Sequence, residues 1–593
     1  MREKKGHPLP LGVTENNGYV NFSVAVEQGK RCFLLIYEKG AKLPCQRIEF
    51  LEKDAVGEVR FLALQKSTIE NCEYNYEIEG KVVTDPYVKE LVLQADGSER
   101  GRISMEAYDW EEDTPLEIPY HEVIAYSLHV RGFTKHSSSK VKKRGTFAGV
   151  MEKIPYLKEL GVNQIQCMPV YDFLDNKKYT NYWGYGDAYC FAPKRLYASQ
   201  ENTGKELKDM VKACHRAGIE VVLNLPFSEH IMPQMMEECL RYYVLEYHID
   251  GFILNPVLAP MEAILADPLL KRTKILQNKE DFQITMRRFL KGDEGMVPGV
   301  MWWLKQQSKE QRSCNYITSH NGFTLADLVS YDGKHNEANG ENNQDGPDYN
   351  YSWNCGAEGA TRRKAVLELR KKQMRNAFFL LLMAQGTPCL LAGDEFANSQ
   401  KGNNNVYCQD NETAWLNWKQ LEKEKELFDY VRNLIALRKR LPILHSEKPL
   451  LGRDEMSCGV PDVSYHGESA WQIPQNVASR QLGVYYHGEG ESEGDCFIAY
   501  NMHWTEHKFA LPALSKGKRW YRVFSTEEEL KEEMLVENQK ESSSELIVQP
   551  IICSGDAIGS VALVGKSAGE RFGNSEQMLV KTAAGFLGRQ MEQ

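Results

Sequence analysis

GIEVVLNLPF (218–227) and IDGFILN (249–255) are two short apolar runs, the first preceded by the helix-patterned KELKDMVKACHRA (205–217). An apolar run of four to eight residues bounded by turn residues reads as a strand buried on both faces, and strands of that kind belong to parallel sheets with crossover helices. Working outward, the same unit recurs. VIAYSLHVRGF (123–133), GVNQIQCMPV (161–170), RTKILQN (272–278), NYITSHNG (315–322) and TPCLLAGDE (387–395) supply further strand candidates. TFAGVMEKIPYLKEL (146–160) and RRKAVLELRKKQMRNAFFLLLMAQ (362–385) supply helices. About seven or eight repeats over roughly 300 residues suit a (β/α)8 TIM barrel, which carries its chemistry at the C-terminal strand ends.

Both flanks alternate in the other manner. GYVNFSVAV (18–26), RCFLLIYE (31–38), EVRFLAL (58–64) and YNYEIEG (74–80) are short alternating runs between turn residues, the pattern of a β-sandwich. Beyond Trp418, RQLGVYYHGE (480–489) and DCFIAYNMHW (495–504) read as a second antiparallel β domain. The expected class is therefore α/β and multidomain, with a sandwich over 1–115, the barrel over 116–440, a C-terminal β-sandwich over 441–568 and a tail over 569–593. The tail, with SEQMLVKTAAGFLGRQ (575–590), reads as an amphipathic helix.

The chain has 593 residues, 26% of them charged, and a net charge of −10 without a basic stripe, which disfavours nucleic acid and anionic membranes as partners. MREKKGHPLPLG at the start lacks the apolar segment of a secretion signal, and no apolar run approaches 18 residues, so a cytoplasmic location is expected. Fourteen cysteines without a CxxC pair read as free, mostly packed thiols. No metal cluster stands out, and no cofactor is expected.

The runs HVRGFT (129–134), NYWGYG (181–186), SHNGFTLADLVSYDGKHNEANGENNQDG (319–346), QGTPCLLAGDEF (385–396) and GNNNVYCQDNETAWLNW (402–418) resemble the isoamylase and glycogen-debranching group of the α-amylase superfamily, glycoside hydrolase family 13. The likeness runs from about Leu9 to Val564. It implies a glycogen-binding-type N-terminal sandwich, a catalytic barrel, a C-terminal β domain, and hydrolysis of α-1,6 branch points in glycogen-like α-glucans.

The family's catalytic motifs fall on this chain with their acids replaced. Where the third strand carries Asp, VVLNLPFSEH (221–230) has Asn224; where the fourth reads GFRFD, GFILN (251–255) has Ile253 and Asn255 at the Arg and nucleophile positions. TKILQNKED (273–281) puts Asn278 at the general acid, although a slip of two residues brings Glu280 there instead. TSHNG (318–322) keeps His320 and has Asn321 for the transition-state-stabilising Asp. A retaining glycosidase needs two carboxyl groups about 5–5.5 Å apart, one nucleophile and one acid, and an amide does neither job.

The resemblance also marks His320, Trp183, Tyr185, Asn224, Asn339 and Glu341 as candidate sugar contacts, through hydrogen bonds to hydroxyls and packing of pyranose faces on aromatic rings. Trp302 and Trp303 read as core. The expectation is a catalytically degenerate relative that binds α-glucan or supports an active debranching homologue. Two alternatives stay open: an active α-1,6-glucosidase using Glu280 and an activated water, and a structural partner without glucan affinity.

Overall fold

The structure, a computed structural model, describes residues 3–104, 107–174, 179–474, 476–488, 494–503, 507–514, 520–526, 551–553, 556–558 and 560–565. At the N-terminal end two antiparallel sheets face each other. One orders Glu3–Lys4, Val59–Gln65, Tyr19–Ala25 and Gly12–Asn16; the other orders Gln46–Glu49, Cys32–Tyr37, Glu73–Ile78, Glu99–Arg102 and Leu91–Leu93, with Lys81–Val83 on Glu73–Ile78. Alternation in YVNFSVA sends Val20, Phe22 and Val24 into the core with Leu34, Ile36, Leu62, Leu64, Tyr74 and Tyr76. The intervening Asn21 and Ser23 are buried too, because the chain at 7–8 crosses over them. The Asn21 amide exchanges hydrogen bonds with the backbone of His7, and the Ser23 hydroxyl donates to the Pro8 carbonyl at 2.7 Å.

The central sheet is parallel and orders Lys274–Leu276, Gly251–Leu254, Glu220–Leu225, Gln164–Cys167, Ala125–Leu128 and Cys389–Leu391. The segment 312–318 closes it into a ring. Gln277 N donates to the Arg312 carbonyl at 2.8 Å on one side; on the other Asn315 bridges Pro388, with Asn315 N to Thr387 O and Cys389 N to Asn315 O both 2.8 Å. The parallel barrel with flanking β domains is the architecture anticipated, but the stave count differs. Among the described residues the ring closes on seven staves rather than eight, because the chain between Leu276 and Arg312 is taken up by the helices Asp281–Lys291, Val297–Leu304 and Ser308–Gln311.

Side chains fill the ring in layers, as the two-residue period requires. At the bottom the wholly buried Glu220 accepts from Lys274 and, at 2.7 Å, from Gln164. Above it Val222, Ile253 and Leu276 form an apolar layer. The next inward positions, Asn224 and Asn278, face the open mouth.

Outside, helices lay apolar stripes on the strands. Thr203–Arg216 starts where Asn202 accepts a hydrogen bond from Lys205 N at 2.9 Å, and it buries Leu207, Met210, Val211 and Cys214. Lys425–Arg440 packs against Lys364–Leu382 and carries Arg438 into the interior at 1% exposure. Arg438 donates to four carbonyls, those of Leu382 and Ala384 at 2.6 Å, Gln385 at 3.2 Å and Gly386 at 3.1 Å. It thus satisfies the end of the long helix just before the Cys389–Leu391 strand.

The C-terminal sheet is antiparallel and orders Val463–His466, Gln481–Tyr486, Cys496–Asn501, Ser560–Gly565 and Tyr521–Ser525, beside a two-stranded pair, Ile551–Cys553 with Asp556–Ile558. The tail at 569–593 lies outside the described residues. Among the described residues no helix is long and apolar enough to cross a membrane, and every cysteine with a described side chain is free. Trp303 is core, whereas Trp302 is 45% exposed and meets it edge-on at 4.5 Å.

Replacing Arg438 by Met removes donors from buried carbonyls that have no other partner at hand. Each orphaned group costs about 1–3 kcal/mol. The expected outcome is a fall of at least about 3 kcal/mol in barrel stability, read as a lower urea midpoint by tryptophan fluorescence; an unchanged midpoint contradicts this structural role for Arg438.

Candidate functional site

The C-terminal ends of the staves surround a cavity of about 170 Å³. Its wall is built from inward positions of successive strands: Gln166 and Met168, Asn224, Ile253, Asn278, then Tyr316, Thr318, His320 and Asn321 from 312–322. Trp183 and Tyr185 close one side, and Glu280 is the one carboxylate among the described lining residues. A larger cavity of about 830 Å³ lies between the sandwich and the Thr203–Arg216 and Pro233–Tyr247 helices, and it contains none of these positions.

The mouth therefore collects Asn224, Asn278, Asn321, His320, Trp183 and Tyr185, but three sequence assignments fall elsewhere. Asn255, two residues beyond the inward Ile253, lies past the strand end, and its side-chain oxygen accepts from Val257 N at 3.0 Å while its carbonyl accepts from Leu258 N and Ala259 N. The amide opens the turn into NPVLAP in the manner of an Asx turn and does not line the cavity.

Asn339 is also withdrawn from the cavity. It donates to Asp345 at 2.7 Å and to the Asn405 carbonyl at 2.8 Å, and accepts from Asn403 and Gln409 at 2.9 and 2.8 Å, so its hydrogen-bonding capacity is used. Glu341 is exposed and accepts from the Tyr407 hydroxyl at 2.7 Å. The amide-rich run 335–346 serves to pin its own loop to 402–409. Asn336, buried completely, is its anchor, exchanging hydrogen bonds with Asn404 and donating to the Asp345 carbonyl. Sequence reading could have found this pairing only by matching two distant asparagine-rich runs.

The polar spine of the site is a chain of three side chains. Asn224 donates to the Tyr185 hydroxyl at 3.5 Å, and that hydroxyl lies 2.6 Å from His320 Nε2. Burial lowers the His320 pKa to about 4 and pushes Tyr185 up to about 12, so at neutral pH both are uncharged; with Asn224 donating to the Tyr185 oxygen, the hydroxyl's own proton is free to be donated as a hydrogen bond to an unprotonated His320 Nε2. Trp183 meets His320 edge-on at 5.0 Å. Both aromatic residues are presented by a tight turn in NYWGYG, where Asn181 accepts from Gly184 N at 3.0 Å and donates to the Tyr185 carbonyl at 2.8 Å. Gly184 sits at φ +82°, and a Cβ there would come within 2.5 Å of the Phe173 ring.

Carboxylates outside the cavity have structural partners. Asp394 accepts from Leu325 N at 2.9 Å and from Thr318, and burial raises its pKa to about 7. Glu395 accepts from Tyr126 at 2.6 Å and from Tyr156. Asp250 accepts from Val221 N at 2.7 Å and faces His215; Asp267 accepts from Leu269 N at 2.8 Å and from Arg241 at 2.5 Å. Arg287, which sequence reading missed, ties the 312–322 segment down by donating to the Ile317 carbonyl at 2.7 Å and the Asn350 carbonyl at 3.1 Å. Among the described residues no group of three or more His, Cys, Asp or Glu is arranged to hold a metal ion.

The depressed pKa of His320 has a consequence for stability. In an unfolded chain the imidazole titrates near 6.5, so between about pH 6.5 and pH 4 the unfolded state takes up a proton that the folded state refuses. The His320 contribution to stability is therefore intact above pH 6.5 and lost as pH falls through that window. Its ring proton resonances are expected to stay unshifted from pH 8 to about pH 5.5 in an NMR titration; a midpoint near 6.5 contradicts the buried Tyr185 pairing.

Residues 129–254 match the family model described as alpha amylase, catalytic domain, and residues 517–592 match that described as Stage V sporulation protein T C-terminal, transcription factor. The chain is 30% identical to Isoamylase 3, chloroplastic, of Oryza sativa subsp. japonica over 89% of its own length and 83% of the relative's. It is 31% identical to the glycogen debranching enzyme of Erwinia tasmaniensis over 76% and 86%. The pullulanase of Paenibacillus barengoltzii, solved with maltohexaose and alpha-cyclodextrin, has the same fold, with a TM-score of 0.69 at 17% identity, over 95% of this chain and 96% of that one. A parallel barrel between two β domains and this extent of identity lead to one conclusion: the chain belongs to the isoamylase and glycogen-debranching enzyme group of the α-amylase superfamily.

Proposed function

We propose that this protein is a non-hydrolysing member of its family that holds α-glucan chains at the barrel mouth. The observation that carries the reading is the composition of the cavity wall: Asn224, Ile253, Asn278 and Asn321 where the family uses charged groups, with Asn255 turned into a loop. Amides and the neutral His320 and Tyr185 both donate and accept hydrogen bonds, as sugar hydroxyls do. None of them offers a nucleophile, or an anion to oppose the charge of an oxocarbenium ion. Loss of Arg at 253 together with Asp at 255 leaves no stranded ion, so the paired change avoids the cost of an uncompensated buried charge.

Relatives named isoamylase and glycogen debranching enzyme point to branched α-glucan as the ligand class. With a positioned acid or base worth about 10²–10⁴ in rate and the nucleophile lost as well, release of reducing ends from glycogen or pullulan is expected to fall at least about 10⁴-fold below an active isoamylase assayed in parallel. In glycogen-containing native gels the protein is expected to be retarded, and Asn321→Ala to weaken that retardation roughly two- to tenfold, the value of one hydrogen bond of about 0.5–1.5 kcal/mol. Migration identical with and without glycogen removes glucan affinity and leaves the role of a partner to an active debranching homologue.

A second reading rests on Glu280, which borders the cavity from the start of the Asp281–Lys291 helix. It makes the protein an inverting α-1,6-glucosidase whose one carboxyl group acts with an activated water, and turnover near that of the active relatives decides in its favour. Restoring the family residues tests the frame itself. Because Asn255 faces its own turn and the ring has seven staves among the described residues, the triple variant Ile253→Arg, Asn255→Asp, Asn278→Glu is expected to stay inactive in the reducing-end assay; appreciable hydrolysis by this variant contradicts that geometry.

A further inference from the structure

Thirteen cysteines have described side chains, and two of them are exposed, Cys45 and Cys458. Their surroundings differ. The Cys45 thiol only donates to the Ile36 carbonyl at 3.3 Å. Cys458 lies 3.5 Å from His487 Nε2, and His487 Nδ1 lies 2.7 Å from Asp495 Oδ1, a carboxylate buried to 6% exposure. This is a chain of thiol, imidazole and carboxylate, far in sequence and in fold from the barrel mouth. Cys458 is an exposed residue of a tight turn. Asp454 accepts from Cys458 N at 3.0 Å and from Gly459 N at 2.7 Å, and the flanking Ser457 and Gly459 both take left-handed backbone angles, φ +53° and +87°.

The order of the groups matters. With Asp495 accepting the Nδ1 proton, the imidazole is held in the tautomer whose Nε2 lone pair faces the thiol. The Tyr485 hydroxyl, 3.3 Å from the same Nδ1, leaves that assignment unchanged. Asp454 acts in the opposite sense: its Oδ1, 3.5 Å from the sulfur, competes with His487 for the thiol proton, as does the Val460 carbonyl at 3.4 Å. Nucleophile, base and orienting acid within hydrogen-bond reach form the arrangement that activates a cysteine.

We propose that Cys458 is a nucleophilic thiol, activated by His487 and Asp495, that exchanges with small-molecule disulfides. His487 Nε2 takes the thiol proton; the sulfur then attacks one sulfur of a disulfide RSSR. The S–S bond of RSSR breaks, a mixed disulfide Cys458–S–S–R forms, and the released RS⁻ takes the proton from the imidazolium. A free thiol drives the same step backward and restores Cys458. No further oxidant is consumed, because the incoming disulfide is itself reduced. The modification site is independent of whether the barrel binds or cleaves glucan.

The test uses the full chain with glutathione disulfide at pH 7, quenched with acid and mapped by mass spectrometry, so that Cys458 and Cys45 are read in the same sample. Cys458 is expected to form the mixed disulfide at least about tenfold faster than Cys45, in the range a positioned base provides. His487→Gln and Asp495→Asn are expected to bring Cys458 down toward the Cys45 rate. Asp454→Asn is expected to raise it, an effect that loss of folding does not mimic, and the Cys45 rate reports on the integrity of each variant. Equal rates at the two cysteines in the unaltered protein, or an unchanged Cys458:Cys45 ratio in His487→Gln, overturns the proposal.

Discussion

A ring of parallel strands allows only every second side chain of each stave to point inward, and everything at the barrel mouth follows from that restriction. Glu220, Val222 and Asn224 are successive inward positions of one strand; Lys274, Leu276 and Asn278 are those of another. The buried Glu220–Lys274 pair holds the bottom layer together, and the apolar layer above it shields that pair from solvent. Removing one member of such a pair is severe, since the remaining ion is stranded in a low-dielectric interior. Register is thereby set at the base, and the residues two and four positions further along have no choice of direction until the strand ends.

Asn255 lies where that control stops. Ile253 is still within the strand and faces the cavity, but past Leu254 the chain is free to turn, and an asparagine there hydrogen-bonds to the backbone two residues ahead. A carboxylate clamped by a neighbouring arginine has a reason to remain facing the cavity; an amide beside Ile253 does not. Among the described residues the mouth is bordered by seven staves, and Glu280 starts the helix that follows Asn278.

In the C-terminal sheet Ser560–Gly565 lies between Cys496–Asn501 and Tyr521–Ser525, so backbone ladders join strands well separated along the chain. The same sheet carries His487 and Asp495 just beyond the ends of two neighbouring strands, which is how residues eight apart come to share a proton-bearing nitrogen.

How much was legible in advance depended on whether the signal was local. Alternation in YVNFSVA, apolar runs such as EVVLNL, and motifs such as NYWGYG carry their meaning within a few residues, so the sandwich, the parallel sheet and the family resemblance could be read directly. Asn224, Asn278, His320 and Asn321, read from motifs that resemble the family's, reach the mouth at or just beyond strand ends, and Trp183 and Tyr185 reach the same cavity from the NYWGYG turn. Asn339 and Glu341 were read as sugar contacts from the resemblance and the amide-rich composition of their run, and neither distinguishes an amide that awaits a ligand from one already paired with a segment 66 residues away. By itself the sequence determined which groups at the mouth can ionise, since an amide has no proton to lose in any fold. Only the tertiary structure decided where those groups point, how many staves enclose them, and that Cys458 stands beside His487, because each of these depends on contacts between residues far apart along the chain.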